Sequence, residues 1–312
     1  MLALLAVATA ASSAATTRGR QNETVFYRYT EPTRGNSAVL YVPGYDQPVW
    51  CRVVATGILR ALSEAYDAHV VTTYDLAGQG ESFAEKATVS LTERMVKTEP
   101  IARLKGQLLA MVEVAARDVG PNGTLYIAAH SYGGSLAFLL ASHLPKNGVA
   151  TQLVLYSAAF KAVVPGLSAK FSRAIKPFLW TVASSIPTWL ARYIVYDEST
   201  LDPSFFCDTC EPILDKCLSS SFTGRVGQTV LGIQSIFDAE RTIDDAPCPG
   251  KFLPTCVEYS VRDKLVDIVA VEHTKKRCPN ATGAMVWRAS GNAHDTLVDD
   301  AIAGVTPSPC IV

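Results

Sequence analysis

The sequence predicts an α/β fold, a mostly parallel sheet flanked by helices, and three observations predict it. The runs Ala38–Val42 and Thr151–Tyr156 are continuously apolar rather than alternating, the pattern of strands covered by helices on both faces. Strand-like and helix-like segments alternate through the first half of the chain, which brings successive strands into parallel pairing. Between Thr124–Ile127 and Ser135–Ala141 lies Ala129-His130-Ser131-Tyr132-Gly133, a strand–turn–helix junction with a serine at its tip. The 312 residues suffice for one large domain with a full core.

Thr24–Tyr29 alternates as an early strand, and Ala38–Val42 is closed by Pro43 and Gly44. Val53 to Tyr66 has helical spacing of apolar residues, and His69–Tyr74 is the next strand, followed by the polar, glycine-rich loop Asp75–Ser82. Leu91 to Val119 reads as a short and a longer helix divided at Pro100. After the strand Thr151–Tyr156 the alternation stops until Phe252–Tyr259, so residues 161–250 are expected to form an inserted helical cap. Its first half carries Phe171, Phe178, Trp180, Trp189, Tyr193 and Tyr196, with Pro177 and Pro187 expected to break it; its second half holds the cysteines Cys207, Cys210 and Cys217. Order then returns with a helix around Val266–His273, a strand at Ala284–Arg288, a loop from Gly291 to His294 and a final helix. The expected organisation is a core of 16–160 and 251–312 around the cap.

Net charge is −1, and no basic cluster exceeds Lys275–Arg277, so a nucleic-acid partner is not expected. Residues 1–15 are apolar and then small, the composition of a secretion signal, and predict a secreted protein. The 8 cysteines, Cys51, Cys207, Cys210, Cys217, Cys248, Cys256, Cys278 and Cys310, suit disulfides in an oxidising compartment, with no pairing to be preferred. Cys207 and Cys210 have the spacing of a zinc half-site, but no second pair or histidine lies near them to complete a tetrahedron. Asn22, Asn122 and Asn280 begin glycosylation sequons.

A nucleophilic serine needs a base, an acid to orient the base and amides for the developing oxyanion. Small residues two before and two after Ser131 let strand and helix backbones approach; Gly133 meets one requirement, and Ala129 meets the other with an extra methyl. Of the 5 histidines, His294 alone follows a late strand in a glycine-containing loop. His69, His130, His143 and His273 are expected to be structural or surface residues, His130 as a prop beneath the turn. Asp263 leaves its strand early enough to face His294, whereas Asp267 begins an apolar helical pattern and is expected to cap that helix.

In this order, Ser…Asp…His, the chain resembles the α/β-hydrolase fold, and its motifs resemble the monoacylglycerol lipase and lysophospholipase branch. The family's His-Gly oxyanion loop is matched by Pro43-Gly44-Tyr45, its Asp-x-x-Gly-His-Gly-x-Ser loop by Asp75 to Ser82, and its elbow by His130 to Gly134. Its Ser-x-x-Asp-Arg-Leu-x-Asp loop is matched by Ser260 to Asp267 and its Gly-x-x-His by Gly291 to His294. Gln79, Pro43 and Ala129 depart from the family pattern without removing a catalytic group.

The resemblance implies a serine hydrolase of lipid-like carboxylic esters, such as monoacylglycerols or lysophospholipids, with Ser131 as nucleophile, His294 as base and Asp263 as acid. The amides of Tyr45 and Tyr132 would form the oxyanion hole, and Phe178, Trp180 and Trp189 of the cap would meet the acyl chain. No cofactor or metal is implied, and the cap could touch a membrane or micelle surface. The alternatives are a serine aminopeptidase of the same fold, with Asp197, Glu198, Asp202 or Glu211 holding an ammonium, and a binding protein that has lost catalysis.

Overall fold

The computed structural model describes residues 14–21, 24–44, 57–76, 101–144, 148–163, 168–187, 190, 195–196, 228–280, 284–290, 294 and 296–312. Eight strands form one sheet: β1 (Ala15–Gln21), β2 (Thr24–Thr30), β3 (Ser37–Val42), β4 (Ala68–Tyr74), β5 (Thr124–His130), β6 (Ala150–Tyr156), β9 (Thr255–Ser260) and β10 (Met285–Ser290). Their spatial order is β1-β2-β4-β3-β5-β6-β9-β10. The β1–β2 and β2–β4 pairs are antiparallel, and every other pair is parallel. Among the helices are α1 (Ile58–Ala65), α2 (Ile101–Ala116), α3 (Ser131–Leu140), α4 (Ala169–Ser185), α5 (Val230–Asp245), α6 (Ile268–Arg277) and α7 (Thr296–Ile302).

The continuous apolar runs have the expected cause, because each strand feeds two cores by alternation. On one face Leu40, Val42, Ile127, Leu153 and Leu155 pack with residues of α2, α3, α5 and α6. On the other Val39, Tyr41, Ala128, Val154 and Tyr156 pack with α1 and with Leu297 of α7. Helix α3, the centre of the first cluster, is buried on nearly every side, which explains its lack of a polar face. The strands expected at Thr24–Tyr29, Ala38–Val42, His69–Tyr74, Thr151–Tyr156 and Ala284–Arg288 all form, within a residue or two of their ends. One strand escaped the sequence: β1 is an edge strand bearing Arg18 and Arg20 and has no apolar face to betray it. It begins at Ala15, the last residue of the expected signal, whose first 13 residues lie outside the described ones.

Between β6 and β9 the chain leaves the sheet, and its described residues form α4, α5 and a two-residue antiparallel pair, β7 (Val195–Tyr196) with β8 (Gln228–Thr229). Pro177 does not break this segment, contrary to expectation. Helix α4 runs through it, and the Thr181 hydroxyl donates to the Pro177 carbonyl at 2.8 Å. The helix ends at Ser185, two residues before Pro187. Residues 197–227, with Cys207, Cys210 and Cys217, lie outside the described residues. Two disulfides, Cys248–Cys278 and Cys256–Cys310, are formed, and no free cysteine occurs among the described residues.

Candidate active site

Ser131 stands where β5 turns into α3, with φ of 51°, left-handed backbone that a non-glycine residue adopts only when its surroundings enforce it. The enforcement is visible. A Cβ on Gly133 would lie 2.7 Å from the Val42 carbonyl oxygen and closer still to that of Pro43, so only glycine lets α3 press against the end of β3. A Cβ on Gly134 would meet that of Ala158 at 2.7 Å, and the Ala159 amide donates to the Ser131 carbonyl at 2.9 Å. Ala129, where the family pattern has glycine, is fully buried in the first core, so its extra methyl is accommodated.

His294 and Asp263 come from separate loops. The imidazole of His294 lies between the two other groups, with Nδ1 at 2.7 Å from Asp263 Oδ2 and Nε2 at 2.9 Å from Ser131 Oγ. Because a carboxylate only accepts, Nδ1 carries the proton and Nε2 is left to accept from the serine hydroxyl. Asp263 is held from its other side: Oδ1 accepts the amides of Leu265 at 2.8 Å and Val266 at 2.9 Å, which turns Oδ2 toward the imidazole. Both side chains of this pair are buried. Such a chain of contacts can draw a proton from the serine as it attacks an electrophilic carbon and stabilise the resulting imidazolium.

Asp267 does what its position in the sequence suggested. It is the N-cap of α6, its Oδ1 accepts the Val269 amide at 3.0 Å, and it is 2 % exposed. Its second role was not legible: Nη1 of Arg173, on α4, donates to both its oxygens, at 2.9 and 3.0 Å. The same loop is stitched to the segment leaving β6 by Asp267 N to Lys161 O at 2.8 Å and Val163 N to Leu265 O at 2.6 Å. Tyr132 also reaches across, its hydroxyl 2.8 Å from Ser235 Oγ on α5, and burial raises its phenol above the ordinary range.

The remaining sequence candidates divide. Tyr132 follows Ser131 in the first turn of α3, where backbone amides lack helical acceptors. Tyr45 and Trp189 lie outside the described residues, as do the acids Asp197, Glu198, Asp202 and Glu211. Phe178 is 68 % exposed on α4, and the Trp180 ring is covered by the Arg241 guanidinium at 4.0 Å, a contact between α4 and α5. His130 is not simply a prop under the turn: its Nε2 lies 3.2 Å from the backbone oxygen of His294. Among the described residues no cluster of side chains could hold a metal ion, and no helix is long and apolar enough to cross a membrane.

Sheet order and site together define a hydrolase of the α/β class. A model of the alpha/beta hydrolase family matches residues 39–299, and the chain belongs to that family. Among solved structures it is similar to a soluble variant of monoglyceride lipase from Saccharomyces cerevisiae in complex with a substrate analogue, with a TM-score of 0.63 at 14 % identity over 94 % of this chain and 93 % of that one. It is also similar to the monoacylglycerol lipase of Paleococcus ferrophilus, with a TM-score of 0.58 at 14 % identity over 89 % and 98 %. The Cif epoxide hydrolase of Acinetobacter nosocomialis aligns with a TM-score of 0.53 at 14 % identity over 90 % and 83 %. At these identities the likeness is one of fold. No curated protein matches the chain in sequence.

Proposed function

We propose that the protein is a secreted serine hydrolase that cleaves lipid-like carboxylic esters, of monoacylglycerol or lysophospholipid type, through an acyl-enzyme. The observation that carries this reading is the unbroken contact from Ser131 Oγ through His294 to Asp263. Ser131 attacks the ester carbonyl as His294 takes its proton, and the amides of Tyr132 and Tyr45 receive the oxyanion. His294 then returns the proton to the leaving alcohol, and water repeats the cycle on the acyl-enzyme. Asp263 keeps the imidazole in the working tautomer throughout.

The lipid character of the substrate is supported by α4, which exposes Phe171, Phe178 and Val182 along one side. That surface suits contact with a membrane or micelle from which substrate is drawn. An aminopeptidase would need an acidic cap residue available to an ammonium, and among the described residues the buried acid of α5, Glu240, is already taken by Lys176 at 2.7 and 2.8 Å. A panel of p-nitrophenyl esters of rising acyl length, run beside an aminoacyl anilide, tests the reading. Ester turnover should rise by about 0.8 kcal/mol of transition-state binding, roughly fourfold, per buried methylene until the acyl site is full. Cleavage of the anilide alone, or a flat response to chain length, would contradict it.

A further inference from the structure

We propose that His130 is a positioning residue for the base: it holds the backbone of His294 so that the imidazole stays in reach of both Ser131 and Asp263. The proposal rests on the serine-hydrolase reading above. His130 is the last residue of β5, is 2 % exposed, and turns its ring toward the incoming loop that carries His294. Its Nε2 is 3.2 Å from the His294 carbonyl oxygen, and the two imidazoles lie against each other with centroids 4.9 Å apart and planes inclined at 57°.

The chemistry of that contact has one direction. A carbonyl oxygen only accepts, so His130 must carry its proton on Nε2 to donate to it. Side-chain bonds from Asp263 fix the orientation of the His294 ring, but they do not fix where the ring's own backbone sits. His130 supplies that second restraint. Because Ser131 follows His130 directly, one strand end sets the place of the nucleophile and of the base at once. Buried Leu297, at the start of α7, belongs to the same apolar cluster as Ala128 and Tyr156 and so anchors the chain after His294 to that face of the sheet. Misplacing a catalytic group by about 1 Å can cost on the order of 100-fold in rate, so a weak bond to a backbone atom can weigh on turnover far more than on folding.

Three measurements decide it. Nitrogen-15 histidine spectra of the wild-type protein should show His130 with a proton on Nε2; a ring protonated on Nδ1 alone would overturn the proposal and needs no variant to detect. His130→Leu, which fills the space without a donor, should lower kcat by about 100-fold with KM little changed, and should weaken the downfield Nδ1 proton signal of His294. His130→Gln, whose amide can donate from the same place, should restore most of both. Wild-type kcat and an unaltered His294 signal in His130→Leu would overturn the proposal, as would equal losses in both variants with that signal intact. If His130→Leu does not fold, the tautomer and the Gln variant decide. Failure of the serine-hydrolase reading would show separately, as a wild-type Ser131 inert to fluorophosphonate, while tautomer and proton signal still report on His130.

Discussion

Asp263 and Asp267 share one loop and have the same chemistry, yet their neighbours assign them different work. Asp263 faces the imidazole at 2.7 Å, and Asp267 caps α6 while binding Arg173. Asp263→Asn should therefore leave melting unchanged and lower kcat by orders of magnitude, near the roughly 10⁴-fold found when a serine-protease triad acid is neutralised. Asp267→Ala should cost about 1 kcal/mol or somewhat more in stability and little in turnover at saturating substrate. Measured melting temperature and kcat for both variants check the division, and a reversed pattern would exchange the two roles. This pair was legible in the sequence because a strand end and a helix start can both be read from hydrophobic period. The His130 contact was not. Alternation along β5 says which face His130 takes, but nothing local says that a loop 164 residues later will lie over it.

Helix α5 packs Ala239 and Ile243 into the first core, and polar contacts tie it to α4 and to the segment leaving β6. Lys176 of α4 binds Glu240 of α5, and Glu240 Oε1 also accepts the Ala162 amide at 2.6 Å. Burial raises the Glu240 carboxyl above its ordinary range, and Lys176 only partly opposes this. A carboxyl raised on folding binds more protons in the folded state than in the unfolded one. Its contribution is fully present below the unfolded value, about pH 4.3, and is lost as pH rises through the folded value. Glu240→Gln has nothing to ionise, so the melting temperature of the variant minus that of wild type should increase from about pH 4 to pH 7. A difference that is flat or falls with pH would contradict the assignment. At this scale the sequence was a partial guide. It gave a helical insertion, but not the survival of α4 through Pro177 or the use of Trp180 as a platform for Arg241. The second depends on a neighbouring helix that periodicity cannot place.

For the molecule as a whole, the parallel centre of the sheet was legible because burial on both faces leaves its mark on every strand. The edge strand β1, with one partner and little burial, left none. The two disulfides bear on the same architecture. Cys256 lies within β9, whose end leads into the loop of Asp263, and ties it to the C-terminal tail; Cys248 joins the segment after α5 to the end of α6. Removing the Cys256–Cys310 bond by Cys310→Ser should cost about 2–4 kcal/mol in stability. Thiol titration of the denatured, unreduced protein should find few free thiols if it is secreted as proposed. Eight free thiols would contradict both the pairing and the oxidising compartment that secretion implies.

The central claim is that Ser131 is the nucleophile. Purified wild-type protein and Ser131→Ala, shown to be equally folded, should be treated with a fluorophosphonate and digested, and the modified peptide located by mass spectrometry beside an assay of ester turnover. The account predicts one adduct, on Ser131, with turnover lost as it forms, and neither adduct nor turnover in Ser131→Ala. Wild-type turnover in Ser131→Ala, or inactivation with the adduct on another residue, would contradict it.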